Sequence, residues 1–419
     1  MECSAIKQDT RQKDVIMKQN VKKIITCSNI ACMFVMLGAM ASANAEVTYR
    51  TPISLMPYAE LSTTYDSNFF RLSDDEESEL YLDLLGGLEL SYTGVQGDAL
   101  ATVFASARRH DDFDDEDFET IGQSLRLRYG TRDTVQWRAS QSYRRVTEED
   151  TLGSDIAVGD VTADSALDTA TSAERDIFQA AISAGVDATD KTQLDFSYRY
   201  DFVDYTDRVQ DKITIQTIGA EAAYRITDKS SGLLTTRYGW QDSDGLDDSA
   251  GVWNVQAGAR TESTDKLTFR ATAGYQHYDR KGDLGSDESL AFDVRATLVA
   301  TDKLTFQAGG RNGTQLSSTQ RGNAADYFIY YLGARMQATD AIDISANAAY
   351  REDDYLDPVM IDGQMRNRTD KGTAFRLRAN YTAPSDYLSL FTQLTFDDVD
   401  SPTGDYDRTK VSAGLRLQY

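Results

Sequence analysis

The sequence predicts an all-β chain built as one transmembrane antiparallel up-and-down β-barrel of about 18 strands, and three observations carry that expectation. The phrase Thr-Asp-Lys, or a near copy, recurs at Thr189, Thr227, Thr264, Thr301 and Thr339, at intervals of 37 to 38 residues, which suits a pair of strands with one tight turn and one longer loop. Each phrase leads into alternation, as in Leu267-Thr268-Phe269-Arg270-Ala271 and Leu304-Thr305-Phe306-Gln307-Ala308, so the repeat is a β-hairpin module. Short turns and long polar loops then alternate along the whole chain, which is the connectivity of a closed ring of hairpins.

Residues 1–45 have the form of a cleaved signal peptide. Lys18, Lys22 and Lys23 precede an apolar stretch from Ile24 to Met40, and Ala43-Asn44-Ala45 supplies small residues for cleavage. The expected barrel is residues 46–419. Its strands are read at Leu55 to Tyr65, Leu80 to Thr93, Ala99 to Arg109, Thr120 to Tyr129, Val135 to Tyr143 and Phe178 to Ala188. They continue at Gln193 to Phe202, Ile213 to Ile226, Leu233 to Trp240, Val252 to Thr261, Leu267 to Tyr278 and Leu290 to Ala300. The last six are Leu304 to Arg311, Tyr327 to Ala338, Ile342 to Arg351, Phe375 to Thr382, Leu388 to Phe396 and Lys410 to Tyr419.

Eight short turns and nine long polar loops separate these strands. In outer-membrane barrels the short side is periplasmic and the long side extracellular, so both ends of the barrel are expected at the periplasmic face.

Successive side chains of a strand point to opposite faces. In the last strand Val411, Ala413, Leu415, Leu417 and Tyr419 oppose Ser412, Gly414, Arg416 and Gln418; Phe375, Leu377, Ala379 and Tyr381 oppose Arg376, Arg378, Asn380 and Thr382 in the same way. A soluble sandwich shares this alternation. The membrane reading is preferred because tyrosines crowd strand ends, as at Tyr65, Tyr129, Tyr224, Tyr275 and Tyr350, like an interfacial girdle. The strands are also near the 9 to 11 residues that cross hydrocarbon, and the chain closes on an aromatic residue, Tyr419, in an amphipathic strand. The expected location is therefore the bacterial outer membrane, with its lipid and lipopolysaccharide as surroundings.

Composition narrows the function. The formal net charge is −24, and taking away residues 1–45 leaves 37 basic against 64 acidic side chains, which argues against a nucleic-acid partner because phosphate neutralisation needs clustered Lys and Arg. All three cysteines, Cys3, Cys27 and Cys32, precede residue 46, so the barrel can form no disulfide. His110 and His277 fall about eight strands apart, and no nucleophile and base come together; the chain is read as non-enzymatic, with no cofactor and no metal. The acidic runs Asp74-Asp75-Glu76-Glu77 and Asp111 to Asp117 lack the ordered spacing of a calcium loop and are read as solvated.

On this phasing the inward row carries Arg126, Arg128, Arg138, Arg199, Arg225, Arg260, Arg270, Arg295, Arg311, Arg335, Arg376, Arg378 and Arg416, together with Arg144, Arg237 and Arg351. Inward acids are fewer: Glu60, Asp83, Glu89, Asp195, Asp201, Glu221, Asp293 and Asp343. A lumen with excess guanidinium attracts anions and can hold carboxylate or phosphate in bidentate pairs. The competing reading is that the arginines pair with acids across strands and brace the wall.

The first strand and loop, Pro57-Tyr58-Ala59-Glu60-Leu61-Ser62-Thr63-Thr64-Tyr65-Asp66-Ser67-Asn68-Phe69-Phe70-Arg71, resemble the opening of the β-barrel porins encoded in exopolysaccharide operons. That family shows a proline, an alternating strand and an Asp-Asn pair before an aromatic or aliphatic residue and Arg; here Ser67 stands between Asp66 and Asn68. The resemblance implies an outer-membrane channel that exports an extracellular or capsular polysaccharide, with periplasmic and inner-membrane export components as partners. An acidic polymer suits the arginine row. The alternatives are a general or anion-selective diffusion porin and a non-conducting structural barrel.

Overall fold

The computed structural model describes residues 53–69, 77–112, 118–146, 156–157, 160–161, 175–205, 212–244, 249–280, 286–316, 324–356, 359–361, 364–385, 387–402 and 404–419. The expected signal segment, most of both acidic runs and most of the long loop from Thr147 lie outside the described residues. One compact unit, residues 54–91 and 95–419, carries the barrel.

The strands, in chain order, are β1 (Ile53–Asp66), β2 (Glu79–Thr93), β3 (Gly97–His110), β4 (Phe118–Tyr129), β5 (Gln136–Val146), β6 (Ile156–Ala157), β7 (Asp160–Val161), β8 (Arg175–Thr189), β9 (Thr192–Tyr205), β10 (Lys212–Thr227) and β11 (Ser230–Asp244). They continue as β12 (Ala250–Thr264), β13 (Leu267–Arg280), β14 (Ser286–Thr301), β15 (Leu304–Leu316), β16 (Ala324–Gln337), β17 (Ile342–Tyr355), β18 (Val359–Ile361), β19 (Gln364–Arg366), β20 (Thr369–Thr382), β21 (Leu388–Asp400) and β22 (Tyr406–Gln418). Eighteen of them form one sheet, while β6 with β7 and β18 with β19 are small separate hairpins in loops. Each barrel strand pairs with its sequence neighbours, and β1 pairs antiparallel with β22, from Tyr58 opposite Gln418 to Asp66 opposite Lys410. That last ladder closes the ring and leaves no edge strand.

The recurring turn phrase sets each hairpin. The Thr264 hydroxyl accepts from the Lys266 N–H at 3.2 Å and the Leu267 N–H at 3.0 Å, and Thr189, Thr227, Thr301 and Thr339 accept in the same way two residues on. Each turn is also tied to the next hairpin. The carbonyls of Lys191, Lys229, Lys266 and Lys303 accept from the N–H groups of Arg225, Glu262, Val299 and Gln337, and the register slips by one residue beside the threonine at Arg225/Thr227, Glu262/Thr264 and Val299/Thr301. The threonine thus fixes the bulge, and the bulge fixes which side chains face inward. Replacing Thr264 with valine removes the acceptor of two N–H groups and is expected to cost about 0.5 to 1.5 kcal/mol, measurable as a lowered denaturant midpoint with unchanged slope.

One row of each strand is apolar and exposed. In β1 exposure alternates residue by residue, with Leu55, Leu61 and Tyr65 outside and Tyr58, Glu60 and Ser62 inside. Large apolar side chains remain open around the ring, among them Leu290 at 77%, Leu332 at 59% and Phe196 at 53%. A water-facing wall does not carry a belt of this extent; its natural surroundings are hydrocarbon.

The barrel strands span 11 to 16 residues, longer at the loop end than the sequence pattern suggests. β15 continues to Leu316, β17 to Tyr355, and β20 begins at Thr369. The hydrogen-bond ladder runs on beyond the apolar belt, where the outer row turns polar at Asp354, Asp398 and Asp400. Alternation of hydropathy ends there, but pairing does not.

Candidate functional site

The inner wall has two halves of different chemistry. At the loop end it is packed. Ile329, Ala349, Ala374, Val399 and Tyr406, all on inward rows, form a buried cluster with Tyr327 and Tyr331 against it, and Ile177, Val203 and Ile213 form another. Charged side chains beside these clusters are buried in pairs. Arg351 Nε meets Asp353 at 2.8 Å, Arg368 meets Asp370 at 2.5 Å, and Asp66 faces Arg408 at 3.2 Å and Lys410 at 3.6 Å. The Ser401 hydroxyl adds a hydrogen bond to Asp370 at 2.6 Å. β6, between β5 and β8 in sequence, lies against β17 on a distant part of the ring.

At the turn end the wall is open and basic. Directly opposed residues share a face, and the register sets Arg225 opposite Ser231, Ser231 opposite Arg260, Arg260 opposite Arg270, and Arg270 opposite Arg295. Four arginines therefore arise at one level of the wall, on β10, β12, β13 and β14. Like charges directly opposite destabilise a ladder, and one carboxylate relieves them: Glu221 binds Arg270 in two parallel hydrogen bonds of 2.7 and 3.1 Å, the strong fork geometry of an arginine pair. Among the described residues no ion pair engages Arg225, Arg260 or Arg295; Arg260 donates to the amide oxygen of Gln193, and Arg295 Nε is buried without a hydrogen-bond partner. A recess of about 550 Å³ opens over this row.

The remaining arginines divide between bracing and lining. Arg128 meets Asp98 at 2.6 Å, Arg199 meets Asp201 at 2.7 Å, and Arg335 lies 3.7 Å from Asp343. Arg138 donates to Gln136 at 2.6 Å and Arg378 to Asn380 at 2.8 Å. Arg126 stands opposite Ser140, Arg311 opposite Asp293 and Arg376 opposite Asn347, all on the inward row. Arg378 and Arg416 also lie over aromatic rings, 4.7 Å from the centre of Phe391 and 4.4 Å from that of Tyr58. These rings can lie flat on the wall because the neighbouring positions are glycine: a Cβ at Gly87 would come within 2.6 Å of the Tyr58 ring, and one at Gly414 within 2.5 Å of Phe391.

The two histidines have different settings. His110 is buried on the inner side, 3.5 Å from Glu79 and against Phe69 and Tyr81, whereas His277 is on the outer row, 3.7 Å from Glu288. No cluster of three His, Asp or Glu side chains suited to a metal occurs among the described residues.

Two features escape sequence reasoning. Arg132 and Lys191 line the basic recess from turns, where strand alternation gives no facing; Arg132 is held there by Asp195 at 2.7 Å. The buried acids at the loop end fall in segments read as polar loops, although the parity of Arg351, Asp353 and Tyr355 continues that of the strand.

No protein-family model matches the chain, and comparison with curated proteins returns no match. Solved structures similar to it include Pseudomonas aeruginosa OpdK with vanillate, at 10% identity over 87% of this chain and 99% of that chain, with a TM-score of 0.45. Pseudomonas aeruginosa OpdQ is 13% identical, over 87% and 98% of the two chains, with a TM-score of 0.44. Acinetobacter baumannii OccAB4 is 11% identical, over 88% and 99%, with a TM-score of 0.44. Fold and inner wall together define an 18-stranded antiparallel barrel with an apolar exterior and a basic lumen face.

Proposed function

We propose that the protein is an outer-membrane channel selective for anions, with the short turns at the periplasmic face. The observation that carries this reading is the level row of Arg225, Arg260, Arg270 and Arg295, in which three guanidinium groups have no carboxylate partner among the described residues. Fixed cations on a lumen wall raise the local concentration of anions and favour their passage. Transport through such a barrel is passive, and any drive comes from the solute gradient or from partners.

The test is the reversal potential of the purified protein in a planar bilayer under a salt gradient. Wild type is expected to prefer chloride, and replacing Arg225, Arg260 and Arg295 together with glutamine is expected to reduce that preference several-fold. Replacing Arg376, Arg378 and Arg416 instead is expected to have a smaller effect, because Arg378 and Arg416 are braced on Asn380, Phe391 and Tyr58. Absence of conductance even after loop deletion would count against any channel role.

A second reading names the cargo as an acidic exopolysaccharide moving outward. It is supported by the sequence resemblance of β1 and by the position of the basic row at the turn end, where a polymer arriving from the periplasm would first meet the wall. Deletion of the gene should then lower the polymer reaching the medium; unchanged secretion would leave only the diffusion channel.

A further inference from the structure

We infer that the basic recess at the turn end is a capture site for a linear oligoanion, which it holds by successive acidic groups along the arginine row. The inference rests on the channel reading and adds to it a ligand class and a side of approach. Three observations support it.

First, the row is periodic. Neighbouring strands are about 4.8 Å apart, and the arginines that no described carboxylate occupies, Arg225, Arg260 and Arg295, arise on every second strand, β10, β12 and β14, so their Cα positions step by about 10 Å along a line crossing the strands. A single small anion can use one step. A chain carrying an acidic group on each of several successive units can use the row.

Second, the recess retains unused binding capacity. Arg270 is occupied by Glu221, but Arg225, Arg260 and Arg295 have no carboxylate among the described residues, and Lys191 adds a further cation to the lining. The two acids of the lining, Asp228 and Glu262, leave it net positive. Buried Arg295 Nε has no hydrogen-bond partner, and a buried donor of this kind is costly unless a ligand or water completes it.

Third, the cations at the two ends of the lumen differ in availability. At the loop end Arg351, Arg368 and Arg408 face Asp353, Asp370 and Asp66 and are buried. At the turn end the row is open to the recess. An oligoanion is therefore steered to the wall from the turn side.

Binding can be measured by calorimetry on the full protein folded in detergent, with tri-galacturonate and galacturonate as carboxylate probes and tripolyphosphate and inorganic phosphate as phosphate probes. At least one trimer is expected to bind about 10-fold or more tighter than its monomer, and which trimer does so identifies the acidic group. The double variant Arg260→Gln with Arg295→Gln should weaken that trimer about 10-fold or more. Arg109→Gln, on the outer row and paired there with Glu119, should leave binding unchanged. Trimers that bind no tighter than monomers, or binding indifferent to the double variant, overturn the site.

Side of approach is read from block of single channels. With all cysteines before residue 46, an added Asp302→Cys in the β14–β15 turn reports orientation through an impermeant thiol reagent. Block should set in faster from the turn side; equal rates from both sides overturn the directional claim. A conducting, anion-selective channel without trimer binding refutes the capture site alone, whereas a barrel that binds the trimer but conducts nothing refutes the channel alone.

Discussion

Replacing Asp66 with alanine is expected to destabilise the barrel by about 3 to 5 kcal/mol, the usual cost of removing one partner from a buried ion pair. Asp66 is fully buried at the seam where β1 meets β22, with Arg408 at 3.2 Å and Lys410 at 3.6 Å. It also accepts the Asn68 N–H at 3.2 Å, and the Asn68 side chain donates in turn to the Asp407 carbonyl. Truncation leaves Arg408, itself fully buried, without its ion-pair partner across the β1–β22 ladder. Equilibrium unfolding by denaturant in lipid vesicles is the measurement, and Asp66→Asn, which keeps the shape and an acceptor, should fall between the alanine variant and wild type. A loss below about 1 kcal/mol for alanine would mean that the seam is solvated rather than buried.

The second large effect is expected from Leu332→Arg on the outer wall. Leu332 lies at the middle of the outward row of β16, opposite Ala308 and Ala348, with Tyr330 above it and Met336 below. An arginine at the bilayer midplane of a barrel costs about 2 to 4 kcal/mol, whereas a substitution on a water-exposed surface usually stays within about 0.5 kcal/mol. The same unfolding experiment in vesicles therefore tests the membrane assignment. A change within the smaller range places this wall in water and sinks the outer-membrane reading.

Much of the architecture was legible because strand parity is a local property. The alternation of Val411, Ala413, Leu415 and Leu417 against Ser412, Gly414 and Arg416 needs only the pleat to be interpreted. The Thr-Asp-Lys phrases mark where parity is reset, because each threonine caps a turn and those at 189, 227, 264 and 301 stand beside a bulge. Strand ends at the loop side were less legible. There the outer row becomes polar while backbone pairing continues, so Asp353, Asp370 and Asp397 belong to inward rows of strands although their surroundings in sequence look like solvated loop.

The arginines were visible as inward residues, but not their mutual arrangement. Sequence places Arg260, Arg270 and Arg295 on three strands without saying that they stand side by side. That depends on the registers of two ladders, one set at the Thr264 turn and its bulge and the other joining strands that a long loop connects. Nor does it distinguish Arg270, which finds Glu221 across two intervening strands, from Arg295, which finds no carboxylate among the described residues.

The sequence by itself determined the hairpin module and its approximate number, the position of the tight turns and the two faces of each strand, since all of these follow from backbone geometry acting on neighbouring residues. Only the tertiary structure decided which charges are neutralised. Whether a guanidinium meets a carboxylate depends on strands far apart in the chain being brought to one level on a closed wall, and that closure separates the buried ion pairs of the loop end from the open basic row of the turn end.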